Sequence, residues 1–348
     1  MRNYLGAVAG NRELRARLGA DLERGVFSHA YILEGQEGCG KHTLATAVIM
    51  ALACKNRTVS GYSLPCNECE PCRKIREGIS PDVMYIKRPE GRATMGVDTV
   101  RNLRSDVSVL PNDLDFKVYI IEDADTMTPQ AQNALLLTLE EPPPFVLFLL
   151  LAKKADALLE TIRSRAPILR LQPVSDEEMS AHLLSPERPA IARSAKALAA
   201  DSPEEFAALL KMANGSIGRA LVLLEEKKRA PLLAARALAE QFCALLAEGT
   251  RPDALLELLL SLPTARDELN ARLDLFALAL RDLTLLMHSE TAPLVFFTDR
   301  ERAADLAARF TPARLLATLF ATEQAGQALL TNANTRLTLI QYHSRLIS

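Results

Sequence analysis

Gly35-Gln36-Glu37-Gly38-Cys39-Gly40-Lys41-His42-Thr43 follows an apolar run, Tyr31-Ile32-Leu33, and opens an alanine-rich segment over 44–53. Strand, glycine-rich turn and helix is the context that a phosphate-cradling loop requires. Glycines let backbone amides turn inward without a Cβ clash, and the helix N-terminus adds positive potential. In such a loop Gly35, Gly38 and Gly40 shape the turn and Lys41 sits on the β- and γ-phosphates. The next residue should be Ser or Thr, whose hydroxyl holds magnesium. Here it is His42, a poor ligand for so hard an ion. Thr43 comes one place late, about 100° further round the helix. A turn that merely needs glycine is the plainer reading, but three glycines in register with the lysine favour descent from a nucleotide-binding loop. ATP and magnesium are then candidate ligands of a damaged site at which hydrolysis is not expected.

A second stretch supports that reading. Phe116-Lys117-Val118-Tyr119-Ile120-Ile121 is a buried strand ending in Glu122-Asp123. This is the layout of a Walker B element, where one carboxylate reaches magnesium and its neighbour polarises water. The usual order is Asp then Glu. Reversal misplaces each carboxylate by about one methylene, and positioning is most of this chemistry.

Around these two stretches the pattern alternates. Residues 11–25 read as a helix, with Leu14, Leu18 and Leu22 on one face. Strands are expected over 28–34, 82–86, 116–123, 145–151 and 168–171, and helices from Gly96, over 130–141 and over 156–163. Asp98 is the expected N-cap of the helix that starts near Gly96. Arg101 and Arg104 on that helix read as a solvated face, and His29 as a packing or capping residue. Such alternation predicts an α/β fold with a parallel, doubly wound sheet whose ligand lies at the strand C-termini. After Pro173 the pattern is helical throughout. Gly215-Ser216-Ile217-Gly218-Arg219 separates two helices, and from about 229 only amphipathic helices follow, suited to packing against like helices of other subunits.

Cys54, Cys66, Cys69 and Cys72 form the pattern C-x11-C-x2-C-x2-C. Four thiolates at these spacings close a tetrahedral zinc site with no open position, hence a structural one. Free thiols and an iron–sulfur cluster are the other readings. Cys39 and Cys243 lie outside the set. Net charge is −2 over 348 residues, so no global basic field draws in nucleic acid. No uninterrupted apolar run of membrane-spanning length and no signal-peptide core are evident, so no membrane is expected and the cytoplasm is the expected compartment.

His29-Ala30-Tyr31, the phosphate loop, the four cysteines, Gly96-Val97-Asp98, Lys117–Ile121, Asn133-Ala134-Leu135-Leu136-Leu137-Thr138-Leu139-Glu140-Glu141-Pro142-Pro143, Ser164-Arg165 and Asn332-Ala333-Asn334-Thr335-Arg336-Leu337 follow one another along nearly the whole chain. In that order they resemble the bacterial clamp-loader subunits of DNA polymerase III, which are AAA+ proteins. The resemblance implies an AAA+ domain over 1–172 with a zinc module at 54–72, a helical lid over 173–226, and a helical collar for oligomerisation over 227–348. Two types compete. The gamma/tau type is the motor, with an intact ATP site. The delta-prime type keeps the fold and the Ser-Arg motif but tolerates decay of that site. Here His42, the reversed Glu122-Asp123, Ala152-Lys153 at the sensor position, and Gly218 where a second sensor arginine belongs all favour delta-prime. Leu137 and Ala166 also depart from the family pattern. The resemblance then implies a stator. Arg165 would act as an arginine finger toward ATP on a neighbouring gamma/tau subunit, and Arg163 is the competing position. The expected partners are gamma/tau and delta subunits, the sliding clamp and, through the assembly, primer–template DNA.

Overall fold

The computed structural model describes residues 3–59, 63–89, 92, 94–186, 189–289, 291–330 and 334–347. The expected motif at 332–337 lies partly outside these residues. The chain divides into two compact units, one of residues 1–182 with 215–219, the other of 183–214 with 220–348.

The first unit runs α1 (Arg12–Arg24), β1 (Ala30–Glu34), α2 (Lys41–Ala53), α3 (Glu70–Arg76), β2 (Val83–Ile86), α4 (Val97–Asp106), β3 (Lys117–Ile121), α5 (Pro129–Glu140), β4 (Val146–Ala152), α6 (Glu160–Arg163) and β5 (Ile168–Arg170). The five strands form one parallel sheet in the order β2-β3-β4-β1-β5. β3 and β4 are buried along their whole length. Alternation along them divides two cores. Val118, Ile120, Leu147 and Leu149 join Leu44, Val48 and Leu22 on one face. Tyr119, Ile121, Phe148 and Leu150 join Val100, Leu103 and Leu135 on the other. A parallel sheet covered on both faces needs this near-continuous apolar composition. Because all strands point one way, Gly35, Lys87, Glu122 and Lys153, each at or just beyond a strand's C-terminal end, share one edge.

Two local expectations change. The N-cap of α4 is Gly96, and Asp98 sits inside the first turn, where it pairs with Arg101 at 3.3 Å. The helix expected over 156–163 is broken into a 3-10 turn, Ala155–Ala157, and α6. The buried Gln132 clamps the break: its amide donates to the Ala157 carbonyl (3.3 Å) and accepts the Leu159 N–H (2.7 Å).

Helices α7 (Asp176–Leu183), α8 (Pro189–Asp201), α9 (Pro203–Ala213) and α10 (Ile217–Leu223) follow, then α11 (Glu226–Glu248), α12 (Pro252–Leu260), α13 (Arg266–His288), α14 (Arg300–Ala307), α15 (Pro312–Leu330) and α16 (Thr335–Ile347). α11 to α16 share one apolar core, in which Phe242 and Phe276 stack at 4.2 Å. The expectation that no segment has membrane-spanning length and apolarity needs correction. α11 passes on length and composition. Counting uninterrupted apolar runs misses a window that admits isolated charges. Ala235, Ala239, Phe242, Cys243 and Leu246 of this helix are buried in the unit's interior.

Asp82, 0% exposed, precedes β2 and accepts backbone N–H groups from Asn112 (2.7 Å), Asp113 (2.6 Å) and Leu114 (2.8 Å). It thereby fixes the loop that delivers β3. Burial alone would raise its carboxyl pKa; the three N–H groups and the Asn112 amide outweigh it and hold the carboxyl below the usual range. The stabilisation is therefore present above the unfolded value, about pH 4, and is lost as pH falls through the lower folded value. Asp82→Asn is expected to lower unfolding free energy by about 1–3 kcal/mol at neutral pH, read as a lower urea midpoint, with the gap to the parent closing in acid. Equal midpoints at neutral pH would contradict this role.

Candidate functional site

The glycine-rich loop leaves β1 at Gly35 and enters α2 at Lys41. Gly38 (φ +72°) and Gly40 (φ +105°) take left-handed backbone that only glycine adopts without strain. A Cβ on Gly35 would lie 2.5 Å from the Cys39 sulfur. The three glycines thus answer to the turn itself. Lys41 points back into the loop: its Nζ donates to the carbonyls of Gly35 (2.6 Å) and Gln36 (2.9 Å). The Cys39 thiol is pushed up by burial, against the pull of the Lys41 charge.

The segment 215–219 lies directly on this loop. The Gly218 N–H donates to the Gly38 carbonyl at 2.8 Å, and the Ser216 hydroxyl donates to the Glu37 carbonyl at 3.0 Å. A Cβ on Gly218 would stand 2.8 Å from the Gly38 Cα. Gly218 is therefore a packing requirement of this loop.

The acids at the end of β3 already have counter-charges. Glu122 faces His42 Nε2 at 3.4 Å and Lys87 Nζ at 3.3 Å, and Asp123 faces Arg88 at 3.6 Å. Asp123 has left-handed backbone, φ 48°. His42 is the second residue of α2, with Thr43 next. Glu37 pairs with Lys153 at 3.3 Å. The structure thus brings Lys41, His42, Glu122 and Asp123 to one edge, as the sequence predicts, and adds Lys87, Arg88 and Ser216, which the sequence reading did not single out. The signal for the two cations was present: they directly follow the strand that neighbours β3. A magnesium ion at these acids would have to displace protein cations, and Mg²⁺ also dehydrates reluctantly.

Arg165 stands on the short loop between α6 and β5. It donates to the Thr161 carbonyl (2.9 Å) and pairs with Glu140 at 2.8 Å. Its side chain is 36% exposed. Arg163, the competing position, pairs with Asp156 at 3.0 Å. Glu140, at the end of α5, is a further residue not singled out from sequence.

The sulfur atoms of Cys54, Cys66, Cys69 and Cys72 all lie within 4.8 Å of one another, and those of Cys66 and Cys72 are 4.0 Å apart. A tetrahedral zinc with Zn–S of about 2.3 Å needs sulfurs roughly 3.8 Å apart, so the set can hold such an ion. Burial raises the Cys66 thiol, but N–H groups of Cys69 and Glu68 and the neighbouring thiols outweigh it and bring it down to about 7. Burial pushes the Cys54 and Cys72 thiols up. Cys39 and Cys243 are buried elsewhere.

The family described as DNA polymerase III, delta subunit, matches residues 10–175. The gamma subunit of Buchnera aphidicola (subsp. Acyrthosiphon pisum) is 32% identical over 176 residues, 51% of this chain and 47% of that protein. The tau subunit of Bacillus subtilis is 36% identical over 158 residues, 45% of this chain and 27% of its own length. The delta' subunit of Bacillus subtilis is 32% identical over 163 residues, 47% of this chain and 48% of its own length. The chain thus spans less than half the length of each of these relatives.

The contact of Gly218 with Gly38 is tight enough to test. Gly218→Ala forces backbone apart and is expected to lower unfolding free energy by about 1–3 kcal/mol, with faster amide exchange across 38–41. A urea midpoint and exchange rates equal to the parent's would show that the two segments are not packed together.

Proposed function

The chain belongs to the clamp-loader AAA+ family, and from that membership we propose that it is a delta-prime-type subunit, a stator rather than a motor. The observation that carries this reading is the self-occupied nucleotide site. Lys41 is bonded to its own loop, Glu122 pairs with Lys87 beside His42, and Asp123 pairs with Arg88. In a working site those groups face phosphate and magnesium.

In this role the chain completes a ring of ATPase-fold subunits. ATP is held by a neighbouring gamma/tau subunit, and Arg165 reaches that ATP's γ-phosphate from its loop. A guanidinium is suited to the task because it is planar, permanently charged and able to donate two parallel hydrogen bonds. Its present hold on the exposed Glu140 is a surface ion pair worth about 0–1 kcal/mol, weak enough to exchange for a phosphate. The helical part from 227 onward serves as the collar, and the exposed Leu316, Phe320, Leu337 and Ile340 support packing against other subunits. Residues 1–172 serve as the AAA+ domain and 173–226 as the lid. The four cysteines hold one structural zinc. The delta subunit, the sliding clamp and primer–template DNA are the further partners, met in the cytoplasm.

The gamma/tau reading rests on similarity as high as that to delta': 36% identity to the Bacillus subtilis tau subunit against 32% to its delta'. Turnover separates the two. The purified chain is expected to show no magnesium-dependent ATP hydrolysis above a Lys41→Ala control; hydrolysis abolished by that substitution would make it a motor. In a reconstituted loader, Arg165→Ala is expected to slow hydrolysis at the adjoining site by about 10³–10⁵-fold, and unchanged clamp- and DNA-stimulated ATPase would remove the finger assignment. Metal analysis should find one zinc per chain, lost together with thermal stability in Cys66→Ser; a metal-free chain of equal stability would refute the zinc site.

A further inference from the structure

The second unit contains a cavity that plays no part in this reading. It has a volume of about 590 Å³ and lies where the end of α11, the start of α12, α15 and α16 meet. That volume is within the range of ligand pockets. Its walls are aliphatic, including Leu245, Leu255 and Ile347, and its polar lining is dominated by Arg251, Arg314 and Arg345. None of the described residues lining it is an acid or an aromatic.

The three arginines come from three different elements. Arg251 is the N-cap residue of α12. Arg314, in the first turn of α15, lies over the backbone of Gly249, where a Cβ would meet both terminal guanidinium nitrogens at 3.4 Å, and 6.0 Å from the Phe310 ring. Gly249 ends α11 with φ +66°, a left-handed cap that brings no side chain into that space. Arg345, on α16, bonds the Gln324 side chain. His343 donates from Nε2 to the Pro252 carbonyl at 2.8 Å and so fixes α16 against the start of α12.

We propose that this cavity binds an acidic peptide segment bearing a large apolar side chain. The guanidinium groups of Arg251, Arg314 and Arg345 give the rim its positive character, and the planar guanidinium matches a carboxylate through two parallel hydrogen bonds. The aliphatic floor then buries the apolar side chain, at roughly 25 cal/mol for each Å² removed from water. Single-stranded nucleic acid fits less well, because its bases bind by stacking on aromatic side chains and the lining has none. A duplex presents only its phosphates, which leaves the aliphatic floor unused.

The test uses the full chain and fluorescence anisotropy with a labelled peptide, Gly-Glu-Asp-Leu-Glu-Asp-Phe-Leu. Saturable binding that weakens with added salt is expected. Replacing the four acids by Gln and Asn, or Leu and Phe by Ser, should each weaken it about tenfold or more. Arg314→Ala should weaken it about tenfold, and Arg251→Ala and Ile347→Ser should weaken it measurably. Arg251, Arg314 and Ile347 are all exposed, so the variants are expected to fold, which thermal unfolding checks. Absence of binding at millimolar peptide overturns the proposal. So does affinity indifferent to both arginine substitutions in folded variants, and so does tighter binding of an oligo-dT than of the peptide.

Discussion

The Gly218 N–H to Gly38 carbonyl hydrogen bond, with the two backbones too close for a side chain between them, determines the state of the nucleotide-type loop. An intact phosphate loop keeps its amides and lysine facing an open cradle. Here Ser216 takes a second loop carbonyl and Lys41 takes two more, so four carbonyls of the loop are bonded within the protein. Glycine at 38, 40 and 218 is needed for that packing. The same glycines that signal a phosphate-type loop in the sequence therefore shape its contact with the 215–219 segment.

Electrostatics reinforces the packing. The acids that end β3 would carry uncompensated charge if the metal were simply lost, and a partly buried carboxylate without a partner is costly. Glu122, whose side chain is only 19% exposed, instead has His42 and Lys87 within 4 Å, and Asp123 has Arg88. His42 lies 3.4 Å from the Glu122 carboxylate and so gives it a polar neighbour. The reversed acid order agrees with this arrangement, since the longer Glu122 reaches both His42 and Lys87.

What was legible in the sequence was local or periodic. Short apolar runs marked β3 and β4, and C-x2-C-x2-C spacing marked the cysteine cluster down to its distant fourth member, Cys54. What was not legible depended on register and on distant contacts. Lys87 and Arg88 matter because β2 pairs with β3 in parallel register, placing Ile86 opposite Ile121. Ser216 matters because a turn some 180 positions downstream folds onto Glu37. The helix expected over 156–163 failed because Gln132 on α5 supplies an alternative set of hydrogen bonds at 157–159. The cap of α4 moved to Gly96 because Asp98, though a good capping type, already lies inside the first turn.

Direct measurement of ATP affinity on the full chain, by calorimetry with and without magnesium, tests the closed site most simply. A self-satisfied loop and self-neutralised acids predict no heat of binding at millimolar nucleotide, or weak binding indifferent to magnesium. Tight binding that requires magnesium and is lost in Lys41→Ala would mean that Lys41, Glu122 and Asp123 leave their protein partners for the nucleotide, and that the chain is a motor.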